Sequence, residues 1–230
     1  MMSASLLYGA DNEVYIDQSG ATSNLDIEQV GGSGNIIGGS DATAGASNMT
    51  PLDLDGATMT LDVLQKGSTN KFLGDIWADN YTGYFSFIGD SNTFNMSTDE
   101  TNATGADGSN VNVQVTGNTN TMTLNHAMTA LAANLDLDWI VQGGGNSITA
   151  SIDVDGATNY MDIDGNDNTV TYDGDGYAGG YFYLDHTGGS RTFNIDQEST
   201  QDNDWLKITS SGSNGTVCVT QSDSGNSFVC

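Results

Sequence analysis

A short phrase, Gly-x-x-Asn, returns along this chain at a nearly fixed beat. It stands at Gly45–Asn48, Gly67–Asn70, Gly89–Asn92, Gly117–Asn120, Gly143–Asn146 and Gly165–Asn168, so successive asparagines lie 22 to 28 residues apart. A degenerate copy runs from Gly188 to Arg191, and shifted copies occupy Gly20 to Asn24 and Gly212 to Asn214. Self-similarity at such a period marks a stack of small units. None of them can bury an apolar face alone, and together they bury one continuous core.

The flanks of the phrase say what each unit is made of. Four and two residues before the glycine come Val63 and Gln65, Phe85 and Phe87, Val113 and Val115, Trp139 and Val141, Met161 and Ile163, Leu184 and His186. Two residues after the asparagine come Phe72, Phe94, Met122, Ile148 and Val170; Phe193 holds the matching place after Arg191. Four after come Met96, Leu124, Ala150 and Tyr172, with Ile195 in the degenerate copy. Most residues between these are polar. Alternation over four to six residues is the pattern of a half-buried strand. Second turns follow, as at Asp55–Thr58, Asn80–Gly83, Asp155–Thr158 and Gly174–Gly180, rich in the residues that tolerate positive φ. The stretches DLDGATMTLDV from Asp53 and DVDGATNYMDI from Asp153 are nearly the same sentence.

The expected fold is therefore all-β: a single β-solenoid of about nine strand-turn-strand rungs stacked in register. At roughly 4.8 Å per rung the stack spans on the order of 40 Å. Residues 1–11 read as an N-terminal arm and 12–230 as the solenoid. Two features interrupt the beat. Residues 97–110 (STDETNATGADGSN) form a polar insert, and Ala127 to Asn134 is the sole candidate for a helical turn.

Charge narrows the function. Four Lys+Arg oppose thirty Asp+Glu, for a formal net charge of −26. Such a field repels nucleic acid and anionic membranes. The first residues, Met1 to Tyr8, carry no basic start and no apolar run of signal-peptide or membrane-span length. The expected exit is by lysis or a signal-independent route.

The repeats resemble curlin-type repeats, the units of curli fibre subunits. The matching pieces are Ile16–Gly20 (IDQSG), Val63–Asn70 (VLQKGSTN) and Val141–Asn146 (VQGGGN). The resemblance covers roughly residues 12 to 230. It implies a β-solenoid with inward amide ladders, here Gln18 and Gln65, flanked by stacked apolar residues. A buried amide is tolerable only when paired. The chain departs from the pattern where Phe87, Val115, Ile163 and His186 hold the glutamine place and Gln142 falls one residue out of phase. Irregular repeats disfavour endless self-templating. With no leader, the chain looks more like the repeat proteins of tailed bacteriophages, the marine ones especially.

The remaining chemistry is thin. Asp162, Asp164 and Asp167 offer oxygens for Ca2+, but without the EF-hand or β-roll calcium loop, so a solvated acidic face reads as well. No catalytic motif appears, and His126 and His186 point inward by phase. Cys218 and Cys230 each lie four residues after an asparagine, so both are expected inward, either as a disulfide locking the last arc or as two buried thiols. The solenoid ends are open strands with few lysines nearby to block pairing.

The expectation is a non-catalytic structural protein without a required cofactor. Its first reading is a bacteriophage virion surface component, a head decoration or fibre. The alternatives are a secreted subunit of an extracellular amyloid-like filament and a glycan-binding or depolymerising spike. Partners are copies of itself or other virion or filament proteins, met through the solenoid ends.

Overall fold

The structure is a computed structural model, which describes residues 2–3, 13–38, 52–78, 80–98, 108–126, 132–176, 179–199 and 204–222. It is a β-solenoid with two parallel sheets facing one another across a narrow core. The nine-stranded first sheet takes Met2–Ser3, Thr22–Ser33, Thr58–Ser68, Tyr81–Ile88, Asn110–Thr116, Asp136–Gln142, Thr158–Asp164, Tyr181–Thr187 and Trp205–Ser211 in that spatial order. The second sheet runs Glu13–Val14, Ile36–Ile37, Lys71–Ala78, Thr93–Thr98, Thr121–His126, Ser147–Asp155, Thr169–Gly176, Arg191–Ser199 and Gly215–Ser222. Asp17–Ser19, Leu52–Gly56 and Ala132–Ala133 pair alongside this path. Sequence order and spatial order coincide, so the chain climbs one rung with each pass through both sheets.

Alternation decides which way each side chain points. In the second sheet Phe72, Phe94, Met122, Ile148, Val170 and Phe193 form one buried column, with register Phe94↔Met122↔Ile148↔Val170↔Phe193. Facing it, Val63, Phe85, Val113, Trp139, Met161 and Leu184 form a buried column in the first sheet. The middle of the core is aromatic: Phe94 packs on Phe72 at 5.3 Å, Phe85 at 5.1 Å, Phe87 at 5.4 Å and Trp139 at 6.1 Å between ring centroids. Glycine makes the room. A Cβ on Gly83 would lie 2.2 Å from the Tyr81 hydroxyl oxygen, so this strand position is empty where its neighbour's ring needs the space.

The Gly-x-x-Asn phrase is the corner that carries the chain from the first sheet to the second. In Gly117–Asn120 the glycine has φ +144° and the third residue, Thr119, has φ +57°. A Cβ on Gly117 would stand 2.0 Å from the Gly89 carbonyl oxygen one rung below, so both conformation and close stacking require glycine there.

Several expectations shift. The corner of the first full rung is Gly32-Ser33-Gly34-Asn35; Gly45 and Asn48 lie outside the described residues. Gly31 and Gly32 form a bulge, with the register slipping between Val30 and Ser33, and the phrase stands intact after it from Gly32 to Asn35. Gly20 is not a copy of this corner. It sits at the opposite edge, its amide bonded to the Asp55 carbonyl, and Asn24 is exposed on the outer face. Ala132–Ala133 is a short strand paired with Val154–Asp155; residues 127–131 of the expected helical turn lie outside the described residues. Of the polar insert, Ser97, Thr98 and Asn110 belong to strands, and 99–107 lie outside the described residues.

Candidate functional site: ladders, outer faces and the top rung

The corner asparagines stack into one line. The backbone N–H of Asn35 donates to Asn70 Oδ1 at 3.1 Å, that of Asn70 to Asn92 at 2.9 Å, and that of Asn92 to Asn120 at 2.7 Å. Asn120 continues to Asn146 at 2.9 Å, and Asn146 to Asn168 at 2.9 Å. All six asparagines are buried. The five side chains from Asn70 to Asn168 each therefore satisfy the corner amide of the rung below, and each rung's hydrogen bond waits for the next rung to be in place. The ladder ends where Arg191 replaces asparagine. There a shallow polar cleft of about 390 Å³ opens, lined by residues such as Asp167, Asn168, Ser190, Arg191 and Asn214.

The second corner residue builds an outer ladder that the sequence did not announce. Asn118 N–H donates to Asp90 Oδ1 at 2.6 Å, Gly144 N–H to Asn118 Oδ1 at 2.8 Å, and Gly189 N–H to Asn166 Oδ1 at 2.6 Å.

Gln65 is buried and donates to Gln29 Oε1 at 2.7 Å and to the Lys71 carbonyl at 3.1 Å. The other expected member, Gln18, is elsewhere: half-buried and donating to the Ser23 hydroxyl at 2.6 Å. It precedes the Gly20 corner at the opposite edge, so its column is not that of Gln65. Gln29 precedes Gly31 by the same two residues, and that spacing was the available signal. Above Gln65 the column becomes Phe87, and Gln65 Oε1 is left without a partner.

Both histidines are buried. His186 bonds through Nε2 to the Gly165 carbonyl at 3.1 Å and through Nδ1 to the Ser210 hydroxyl at 3.0 Å. This satisfies a neutral ring, and burial holds its pKa below the ordinary value. His126 meets the Thr98 hydroxyl through Nδ1 and lies between Thr98 and Ile152 in its inward column. Burial pushes it down to about 4.

The three calcium candidates do not converge. Asp162 and Asp164 alternate along the outer face of one strand, while Asp167 is the exposed third corner residue at φ +60°. Among the described residues no group of three or more His, Cys, Asp or Glu is arranged to hold a metal ion. Carboxylates instead line up with like neighbours on the outer faces: Asp26 beside Asp62, Asp162 beside Asp185, Asp173 beside Asp196, and Asp153 beside Asp175 beside Glu198. Partial desolvation and like charges hold Asp153, Asp162, Asp173, Asp175 and Glu198 above the usual carboxylate range.

Aromatic side chains occupy the upper outer face of the first sheet. Tyr160 and Tyr183 stack at 5.0 Å and 7° between planes, and Lys207 lies 4.9 Å from the Tyr183 ring centre. Tyr181 and Trp205 stand beside them, 6.2 Å apart and half exposed.

The top rung differs from those below. Leu206 and Ile208 continue the buried Phe182 and Leu184 columns but are only half-buried. Val217 and Val219 continue the Phe193 and Ile195 columns, yet are 42% and 41% exposed. Cys218 is disulfide-bonded and registers with exposed Asn194, on the outer side. The inward expectation counted from Asn214. That residue is the third member of its corner, at φ +62°, and Gly215 fills the asparagine slot, which shifts the phase by one. Cys230 lies outside the described residues. No known protein family, curated protein or solved structure matches this chain.

Proposed function

We propose that this protein is a non-catalytic structural element, a short stiff rod on the surface of a bacteriophage virion, as a head decoration or fibre component. The observation that carries the structural reading is the six-asparagine ladder through an unbroken core. Sequence invested in stacking leaves the faces and ends for contact with other molecules. The histidines that could act as bases are buried and held neutral. The carboxylates crowd outward-facing columns, where facing acid–base pairs across a groove would be needed for sugar hydrolysis. The uneven repeat lengths, which disfavour endless self-templating, favour the virion placement over a filament.

The buried Gln29–Gln65 bond favours a second reading, a subunit of an extracellular amyloid-like filament. Electron microscopy of negatively stained, purified protein, held for days with and without Ca2+, separates the two. The virion reading expects discrete short particles in both conditions. Long unbranched fibres would replace it with the filament reading. Release of sugar from a host polysaccharide would remove the structural reading itself.

A further inference from the structure

Arg191 is the chain's one arginine, and it stands in the slot that asparagine fills on the rungs beneath it. The replacement changes the corner in three ways. A guanidinium only donates, so the Asn168 N–H loses the acceptor that another asparagine gives, and no hydrogen bond among the described residues replaces it. Arginine also needs more room, and Gly215 on the rung above supplies it: a Cβ there would lie 2.5 Å from Arg191 Cγ. Where these corners meet, the side of the stack opens into the polar cleft of about 390 Å³.

The guanidinium in that cleft is unmatched. The chain holds thirty Asp and Glu, yet Arg191 forms no ion pair among the described residues. Its Nη1 reaches the Asn214 carbonyl only at 3.5 Å, and its Nε is buried without a partner. Lys207, by contrast, lies over the Tyr183 ring. An unpaired fork beside a free backbone N–H is a receptor for an anion brought from outside. At physiological salt the repulsion of distant carboxylates is screened beyond about 8 Å. Asp167 is then the one carboxylate in the lining that such an anion must face.

Asp167 selects among anions. Phosphate or sulfate carries negative charge on every side and meets it with repulsion. An acidic sugar carries charge at one corner and hydroxyl groups elsewhere, so its carboxylate faces Arg191 while a hydroxyl donates to Asp167. Ser190, Thr192 and Thr216 complete a lining that both donates and accepts, as sugar hydroxyls require. A shallow cleft on the flank of the stack suits one residue of a chain that runs on past it.

We propose that the cleft at the end of the asparagine ladder binds a uronic acid residue of an acidic polysaccharide. Arg191 and the Asn168 N–H hold the carboxylate, and Asp167 and the hydroxyl side chains hold the ring hydroxyls. This goes beyond the structural role above: a rod with such a site holds the polysaccharide along its flank and cleaves nothing.

The test is a nuclear magnetic resonance titration of the isotope-labelled full chain with glucuronate, glucose, acetate and inorganic phosphate. With one arginine, the chain gives a single arginine Nε–H signal, and the Asn168 amide is the second reporter. Glucuronate is expected to shift both, with a dissociation constant of about millimolar order. Glucose and acetate each offer half of the chemistry and bind at least about tenfold more weakly, as does phosphate. Arg191→Asn restores the corner phrase, so it melts no lower than wild type while losing the glucuronate response at Asn168. Arg191→Lys keeps the charge, loses the fork and weakens binding about tenfold. Acetate or phosphate binding as tightly as glucuronate reduces the cleft to a plain anion site and overturns the inference. Equal binding of glucose, continued binding by Arg191→Asn, or no shift at all overturns it too. A null titration leaves the structural reading standing, whereas growth of long fibres strikes the virion reading and leaves this site untouched.

Discussion

Asn120 shows how much one side chain carries. Its Oδ1 accepts the Asn92 amide, its own amide donates to Asn146 Oδ1 at 2.9 Å, and its Nδ2 reaches the same oxygen at 3.2 Å. Truncation leaves a buried backbone N–H with no acceptor. Asn120→Ala is expected to cost about 2–4 kcal/mol, measured by urea unfolding. The neighbour Asn118 makes the same kind of bond in the outer ladder, where water competes, so Asn118→Ala should cost under about 1 kcal/mol. Equal losses would mean that burial does not set the worth of the ladder. At this scale the sequence was legible for Asn70 to Asn168 and for the inward columns two and four residues from each corner, but not for the next columns out, such as Val111, Leu137 and Phe182. It misled where local spacing has two solutions. Gln18 and Gln29 each precede a glycine by two residues, and only the stack decides that Gln29 meets Gln65. Cys218 was one residue out of phase because a glycine took the asparagine slot. The outer ladder of Asp90, Asn118 and Asn166 left no mark, since the second corner residue varies in type.

Along the strands, the outer carboxylates and the inner histidines pull stability in opposite directions with pH. Asp53, Asp62, Asp138, Asp153, Asp162, Asp173, Asp175 and Glu198 all have folded pKa values raised by desolvation and by like-charged neighbours. A raised carboxyl binds its proton more readily in the folded chain. Stability therefore increases as pH falls through the raised values, and the gain is complete below the ordinary value of 3.8. His126 acts the other way. Its folded value of about 4 lies below the ordinary 6.5, so the unfolded chain takes up the proton first as pH falls. That loss begins near pH 6.5 and reaches about 3 kcal/mol by pH 4. His186, also lowered, adds to it. His126→Gln, which removes that loss, is thus expected to gain stability relative to wild type as pH falls from 7 to 4, by up to about 3 kcal/mol. Parallel curves in thermal melts would contradict this balance. The number of carboxylates can be read from the chain, but their pairing cannot. Asp153 beside Asp175 beside Glu198 is a matter of register between strands more than twenty residues apart.

The whole molecule is a climb in fixed steps, and its distances are set by rung count, not chain length. The corner phrase made this architecture readable, because glycine at φ near +140° and an asparagine able to bond upward suit a stacked corner and little else. The ends were less legible, since exposure of Val217 and Val219 depends on there being no further strand above them in the described sheets. The most direct test is electron paramagnetic resonance between labels in one outward column: Asn24, Asp136 and Tyr181 are all exposed and joined by successive register pairs. Asn24→Cys with Asp136→Cys spans four rungs and should give about 19 Å, and Asn24→Cys with Tyr181→Cys spans six and should give about 29 Å. Distances in that proportion establish the parallel in-register stack. Distances that are equal, or that fall as the labels move apart in sequence, would contradict it.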